Sequence, residues 1–198
     1  MEGAGAEPVV EGELEVSGAA WVARFPTSHS TADLTEDFGA DVDLFLAALD
    51  AAGANVSISG TLRPLERAHL MHYSYRVARE NLDPASVPAY EGVAIDWVHR
   101  TADGSVDRVA SRQAAEAMVQ AYHIVHRPSI TSLHTEGRAI DMTITWSSTL
   151  RIVDASGAEV VIQGGGNGGS STALHQVGAT YGVRKLVGDA PHWSDNGR

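Results

Sequence analysis

The sequence predicts an α+β protein, and the observations behind that are simple. Helical periodicity and helix stops dominate the first two thirds of the chain, and alternating apolar and polar residues the last third. Residues 1–16, rich in Gly, Ala and Glu, read as a solvated acidic tail, with 17–198 as a single domain. From Asp41, the residues Val42, Phe45, Leu46 and Leu49 repeat at helical spacing, and Gly53 follows as a stop. Val56 and Ile58 then alternate with Asn55, Ser57 and Ser59, a short strand ending in Gly60-Thr61-Leu62-Arg63-Pro64. Residues 65–80 read as a helix, and 81–90, with two prolines, as a loop. A further helix is expected over about 107–122, with Ala110, Ala114, Ala117, Met118, Ala121 and Tyr122 on one face.

The clearest strand covers 139–146. Ile140, Met142, Ile144 and Trp146 point one way, and Ala139, Asp141, Thr143 and Thr145 the other. A hairpin follows, its arms at 151–153 and 159–162 joined through Asp154 to Gly157. The run GGGNGGSS over 164–171 reads as a flexible loop, either lid or connector. Ser171 is positioned to cap a short helix reaching Tyr181, with Gly182 as its stop.

Composition narrows the function. The 198 residues carry a formal charge of −11, and 43% are hydrophobic, enough for a sizeable core. Residues 1–50 hold 11 acidic residues and one basic, Arg24, so the acidity belongs to the N-terminal quarter. That run is most simply a solubilising surface, with a partner for it as the alternative. No basic patch suited to nucleic acid is visible. No apolar run is long enough for a membrane helix, and no secretory signal peptide is visible. The chain contains no cysteine, so thiolate zinc, iron–sulfur clusters and cysteine nucleophiles are excluded.

Nine histidines without cysteine direct attention to a His/carboxylate metal site. In Ser132-Leu-His134-Thr-Glu-Gly137-Arg-Ala139-Ile-Asp141, His134 precedes the clearest strand and Asp141 lies on its polar face. Gly137 between them allows the chain to fold back and aim both side chains at one point. Asp189-Ala-Pro-His192-Trp193 offers a third imidazole with a carboxylate three residues before it. Two other pairs, His69/His72 and His123/His126, lack a third ligand at a recognisable spacing and read as hydrogen-bonded or solvent-facing residues. The glycine run is not followed by the Lys-Ser/Thr of a phosphate loop, and no G-x-S-x-G nucleophile elbow exists.

The segment SLHTEGRAID matches S-x-H-x-x-G-x-A-x-D throughout, and so resembles the zinc D-Ala-D-Ala carboxypeptidase and dipeptidase family of the vancomycin-resistance type. Phage L-Ala-D-Glu endopeptidases resemble that family too, and the hedgehog signalling domain shares its fold. DAPHW is similar to the family's second motif, and Ser59 to Pro64 to its S-G-x-R segment, with one extra residue before the arginine. These motifs bracket 57–194.

The resemblance implies a small antiparallel sheet with helices packed on it, and one zinc ion held by His134, Asp141 and His192. It assigns Asp189 as general base and Arg63 as the cation near the substrate carbonyl. Ser132 falls at a hydroxyl supporting the ligands, and Trp193 is expected to be part core and part cleft wall. Many members have Glu where this chain has Asp189, which bears on the substrate subclass. The implied activity is metal-assisted hydrolysis of peptidoglycan stem peptides at the bacterial wall, with delivery by lysis or a secretion machinery. The alternatives are a non-catalytic, zinc-stabilised binding domain and a cytoplasmic D-Ala-D-Ala dipeptidase. Carboxypeptidase and endopeptidase are not separated at this level.

Overall fold

A computed structural model of the chain describes residues 13–198. Most of the expected tail, 1–12, therefore lies outside the described residues. In chain order the elements are β1 (Glu15–Val16), α1 (Glu36–Ala51), β2 (Asn55–Gly60), α2 (Leu65–Arg79), β3 (Ile95–Asp96), α3 (Arg108–Ala121), β4 (Ala139–Trp146), β5 (Leu150–Val153), β6 (Glu159–Ile162), β7 (Gly166–Asn167), α4 (Thr172–Thr180), β8 (Arg184–Lys185) and β9 (His192–Ser194). The protein is α+β, as its sequence indicates. No helix among the described residues is long and apolar enough to cross a membrane.

Within the chain, two compact units are distinguished, each assembled from two stretches. One comprises the described residues up to Pro26 with Pro64–Ile130, and the other Thr27–Arg63 with Thr131–Arg198. In the first unit, α2 and α3 bury Leu70, Tyr73, Val77, Met118 and Val119 around Trp21 and Trp97. Glu15 and Val16, assigned to the tail from sequence, instead form β1 and pair in parallel with Ile95 and Asp96 of β3. The buried stripe of α3 is Ser111, Ala115, Met118, Val119 and Tyr122, rotated by about one residue from the expected alanine face. Ala121 is exposed. Larger side chains win the core position because burial free energy grows with apolar area, and alanine has little to offer. The Asp107 carboxylate caps this helix, accepting from the Ala110 amide at 2.8 Å.

The second unit carries an antiparallel sheet in the order β2-β4-β9-β8, with β7 also paired to β4. Ile140, Met142, Ile144 and Trp146 of β4 are buried together with Phe38, Val42, Phe45 and Leu49 of α1. This is the alternation read from sequence, set against the helical stripe read from sequence. Phe45 is fully buried, and truncating it to Ala should cost about 3–5 kcal/mol. The hairpin β5–β6 turns through Gly157 at φ 87°, and Ser171 caps α4 by accepting from the Leu174 amide at 3.3 Å.

The glycine run does not behave as a lid. Gly166 and Asn167 form β7, with Thr145 opposite Asn167 and Trp146 opposite Gly166. A Cβ on Gly166 would lie 2.6 Å from the Trp146 ring, and one on Gly168 would lie 2.9 Å from Ile144 Cβ. Glycine is required there because the loop backbone packs directly on β4.

Candidate metal centre

The strand register assembles the site in the second unit. Asp141 on β4 has His192 of β9 as its partner on one side and Gly60 of β2 on the other. Cross-strand partners present their side chains on the same face about 5 Å apart, so the register alone brings His192 to Asp141. His134 arrives from the preceding loop. That loop turns at Gly137, whose φ is 68° and whose carbonyl accepts from the Thr35 amide at 2.9 Å. A Cβ there would lie 3.2 Å from the Asp33 carbonyl oxygen, so both conformation and space call for glycine.

The three side chains meet. Asp141 Oδ1 lies 3.1 Å from His134 Nε2 and 3.1 Å from His192 Nδ1, and the two imidazole nitrogens are 3.1 Å from each other. The rings stand edge to face, their centroids 4.9 Å apart. The far nitrogen of each ring is occupied: His134 Nδ1–H donates to the Thr61 carbonyl at 2.7 Å, and His192 Nε2–H to a backbone oxygen of Arg198 at 3.0 Å. Those bonds select the tautomers, leaving a lone pair on each near nitrogen. Two imidazole lone pairs and a carboxylate oxygen converging on one point repel each other unless a cation joins them. Tetrahedral zinc, with bonds of about 2.0–2.1 Å, separates its ligand atoms by about 3.3 Å, close to the spacing here. The group could hold a metal ion.

Electrostatics agree. When the rings carry a second proton in place of a metal ion, burial alone would push the Asp141 carboxyl up, but hydrogen bonds and charge from the two imidazoles outweigh it and hold Asp141 well below the carboxylate range. Burial likewise opposes charge on His192, yet the bond and charge of Asp141 prevail and raise its pKa. Asp141's side chain is 26% exposed, against 7% for His134 and 11% for His192, so solvent reaches the group over the carboxylate.

The remaining expected residues are placed as follows. Arg63 is half-buried, and its amide donates to the His134 carbonyl at 2.9 Å. With the Thr61 carbonyl on the His134 ring, the segment from Gly60 to Arg63 thus holds His134 by both backbone and side chain. Asp189 is exposed, in the turn before His192, and its carbonyl accepts from the His192 amide at 3.1 Å. Its carboxylate is not among the three converging atoms, but its charge helps raise His192. The Ser132 hydroxyl has no hydrogen-bond partner among the described residues. The role of fixing the loop falls to Thr135, whose hydroxyl accepts from the Ser132 amide and donates to the Ser132 carbonyl, both at 2.8 Å.

Trp193 departs from expectation. It is 0% exposed and packs against Phe45 with ring centroids 5.7 Å apart, so it is core and no part of a cleft wall. Neighbours along a strand face opposite ways: with His192 turned toward the metal group, Trp193 must enter the core.

Sequence reasoning missed Lys185. This buried ammonium donates to the carbonyls of Leu186 at 2.6 Å and His192 at 2.9 Å, and also to that of Asp189. All three of its protons are used to close the turn carrying Asp189 and His192. It is the chain's only lysine against 13 arginines, which is the one signal that could have pointed to it.

The other histidines hold no metal cluster among the described residues. His69 is buried between Tyr73 and Tyr90, and His72 Nδ1 lies 2.8 Å from the Pro128 carbonyl. Compared with known proteins, the chain matches no protein-family model and no curated sequence.

Proposed function

We propose that the protein is a zinc-dependent peptidase cutting peptidoglycan stem peptides at the bacterial wall. The observation that carries this reading is the convergence of His134 Nε2, Asp141 Oδ1 and His192 Nδ1, each 3.1 Å from the others, with both tautomers set by backbone carbonyls. The motif resemblance to the D-Ala-D-Ala carboxypeptidase and L-Ala-D-Glu endopeptidase group, with its hedgehog-type fold, supplies the substrate class. The antiparallel sheet and packed helix of the second unit are compatible with it.

Zinc held by these three ligands would leave a fourth position for water and bring that water's pKa toward about 7. The chain's own residues then divide the remaining work. Asp189, exposed and close enough to influence His192 by charge, is suited to accept a proton from attacking water. Arg63, whose amide holds His134, carries a guanidinium suited to offset charge developing on the substrate carbonyl oxygen. Lys185 keeps the Asp189–His192 turn in shape without touching substrate.

Incubating the protein with purified peptidoglycan, and separately with D-Ala-D-Ala, with and without chelator and with products read by mass, tests the reading. Chelator-sensitive release of stem-peptide fragments is expected. Cleavage of D-Ala-D-Ala alone would indicate a dipeptidase instead. Bound metal with no product from either substrate would indicate a zinc-stabilised binding domain.

A further inference from the structure

A groove of about 330 Å³ opens in the second unit, lined in part by Ser59, Thr143, Asn167, Gly169, Ala190 and Pro191. Its place beside the metal group follows from chain neighbours. Ser59 precedes Gly60, the strand partner of Asp141, and its hydroxyl donates to the Asp141 carbonyl at 3.3 Å. Thr143 lies two residues beyond Asp141 on the same polar strand face. Ala190 and Pro191 join Asp189 to His192. The far wall is the glycine run, whose close packing on β4 fixes it in place.

The lining is mostly apolar, with Met142 and Ile144 among its residues, and among the described residues it contains no ionisable side chain. It also presents prepared hydrogen-bonding groups. The Asn167 carboxamide oxygen accepts from the Ser170 amide at 3.2 Å and its hydroxyl at 3.1 Å, which fixes the amide orientation. Its NH₂ is then left as a donor on the groove, unengaged among the described residues, as is the Thr143 hydroxyl. Met142 and Ile144 add apolar wall, and Gly169, Ala190 and Pro191 leave room for main chain and short side chains, with no side chain to pair a charge. A groove of this size is within the roughly 300–1,000 Å³ of small-ligand sites.

We infer that this groove binds an uncharged stretch of peptide by its backbone amides, with Asn167 and Thr143 as specificity-determining residues, so that the substrate enters as an internal segment and not by a free terminal carboxylate in this groove. This rests on the peptidase reading for its catalytic meaning, though binding itself does not require turnover. An anion here would lose its hydration and find no cationic side chain in the lining, whereas peptide amides find both a donor and a hydroxyl.

The test uses the full chain loaded with zinc and two alanine tripeptides, one blocked at both ends and one with a free C-terminal carboxylate. Amide chemical shifts of Thr143, Asn167 and Gly169 are followed during titration, and hydrolysis of isolated stem peptides is measured in parallel. The blocked peptide should shift those amides. Asn167→Asp, which keeps the acceptor facing Ser170 but removes the donor, should raise KM about tenfold or more with metal content unchanged. Thr143→Val, at an exposed position, should act in the same direction. Shifts without hydrolysis would retain the groove and remove the peptidase reading. Hydrolysis with unchanged KM in both variants would overturn the groove alone. Binding of only the free-acid peptide, or of neither, would overturn it as well.

Discussion

The carbonyl oxygen of Thr61 lies 2.7 Å from Nδ1 of His134, and it thereby decides which nitrogen of that imidazole faces Asp141. A main-chain group from the Gly60–Arg63 segment thus sets the protonation pattern of a candidate ligand more than 70 positions away. Backbone orientation of this kind survives substitution of the Thr61 side chain, whose hydroxyl makes no hydrogen bond among the described residues.

About one divalent ion per chain is expected to bind, and His134→Ala or His192→Ala should abolish it. Thermal stability of the wild type should rise on adding zinc, while that of the variants should not. Binding should also weaken below neutral pH, because protons compete for His192 Nδ1, whose pKa Asp141 raises. Metal analysis of fresh protein together with melting curves checks this; a metal-free protein with no zinc-induced shift would remove the site.

Asp189→Asn separates catalysis from metal binding. A general base should be lost with zinc retained, lowering turnover by ~10²–10⁴. If Asp189 only orients His192, the same change should instead weaken zinc ~10–100-fold with little effect at saturating metal. Kinetics at saturating zinc alongside a metal titration discriminates the two.

Arg63→Ala should lower turnover and leave metal content intact, since the Arg63 amide that supports His134 is retained in the variant. Arg63→Lys should rescue in part, because an ammonium does not reproduce the planar fork. Equal rates in all three proteins would exclude Arg63 from the chemistry.

Lys185→Met keeps apolar bulk but removes one hydrogen bond from each of the carbonyls of Leu186, Asp189 and His192, which keep only their backbone N–H donors. At a net ~0.5–1.5 kcal/mol for each hydrogen bond removed, a loss on the order of 2 kcal/mol in unfolding free energy is expected. Zinc affinity should fall as the His192 turn loosens. Urea denaturation of the metal-free protein with a metal titration reads both; unchanged stability would show that the clamp contributes nothing.

His69 lies in the other unit and gives a pH signature independent of the metal. Desolvation, assisted by the neighbouring His72, lowers its pKa to about 4 from a usual 6.5. Between those values the unfolded chain binds more protons than the folded one, so its contribution is complete above about pH 6.5 and disappears as pH falls toward 4. The amplitude is on the order of 2–3 kcal/mol. His69→Phe should flatten this part of the stability–pH curve, and an unaltered curve would show that another group controls it.

Much of this protein is local and could be read from its sequence. The α1 stripe of Val42, Phe45 and Leu49, the alternation of β4 and the glycine at 137 each follow from short-range geometry, and the motif resemblance names His134, Asp141 and His192 as one metal group. What tertiary structure decided depends on contacts between distant segments. The partition into two units comes from stretches that separate and rejoin at Pro26 and Pro64, which no local period encodes. The α3 face shifted because its orientation is chosen by what Met118, Val119 and Tyr122 pack against, not by its alanines. Trp193 became core because β9 register turned His192 outward, and the glycine run became a wall because its backbone docks on β4. Lys185 acquired its role only when the turn from Leu186 to His192 brought three carbonyls within reach of one ammonium, a convergence that sequence spacing does not display.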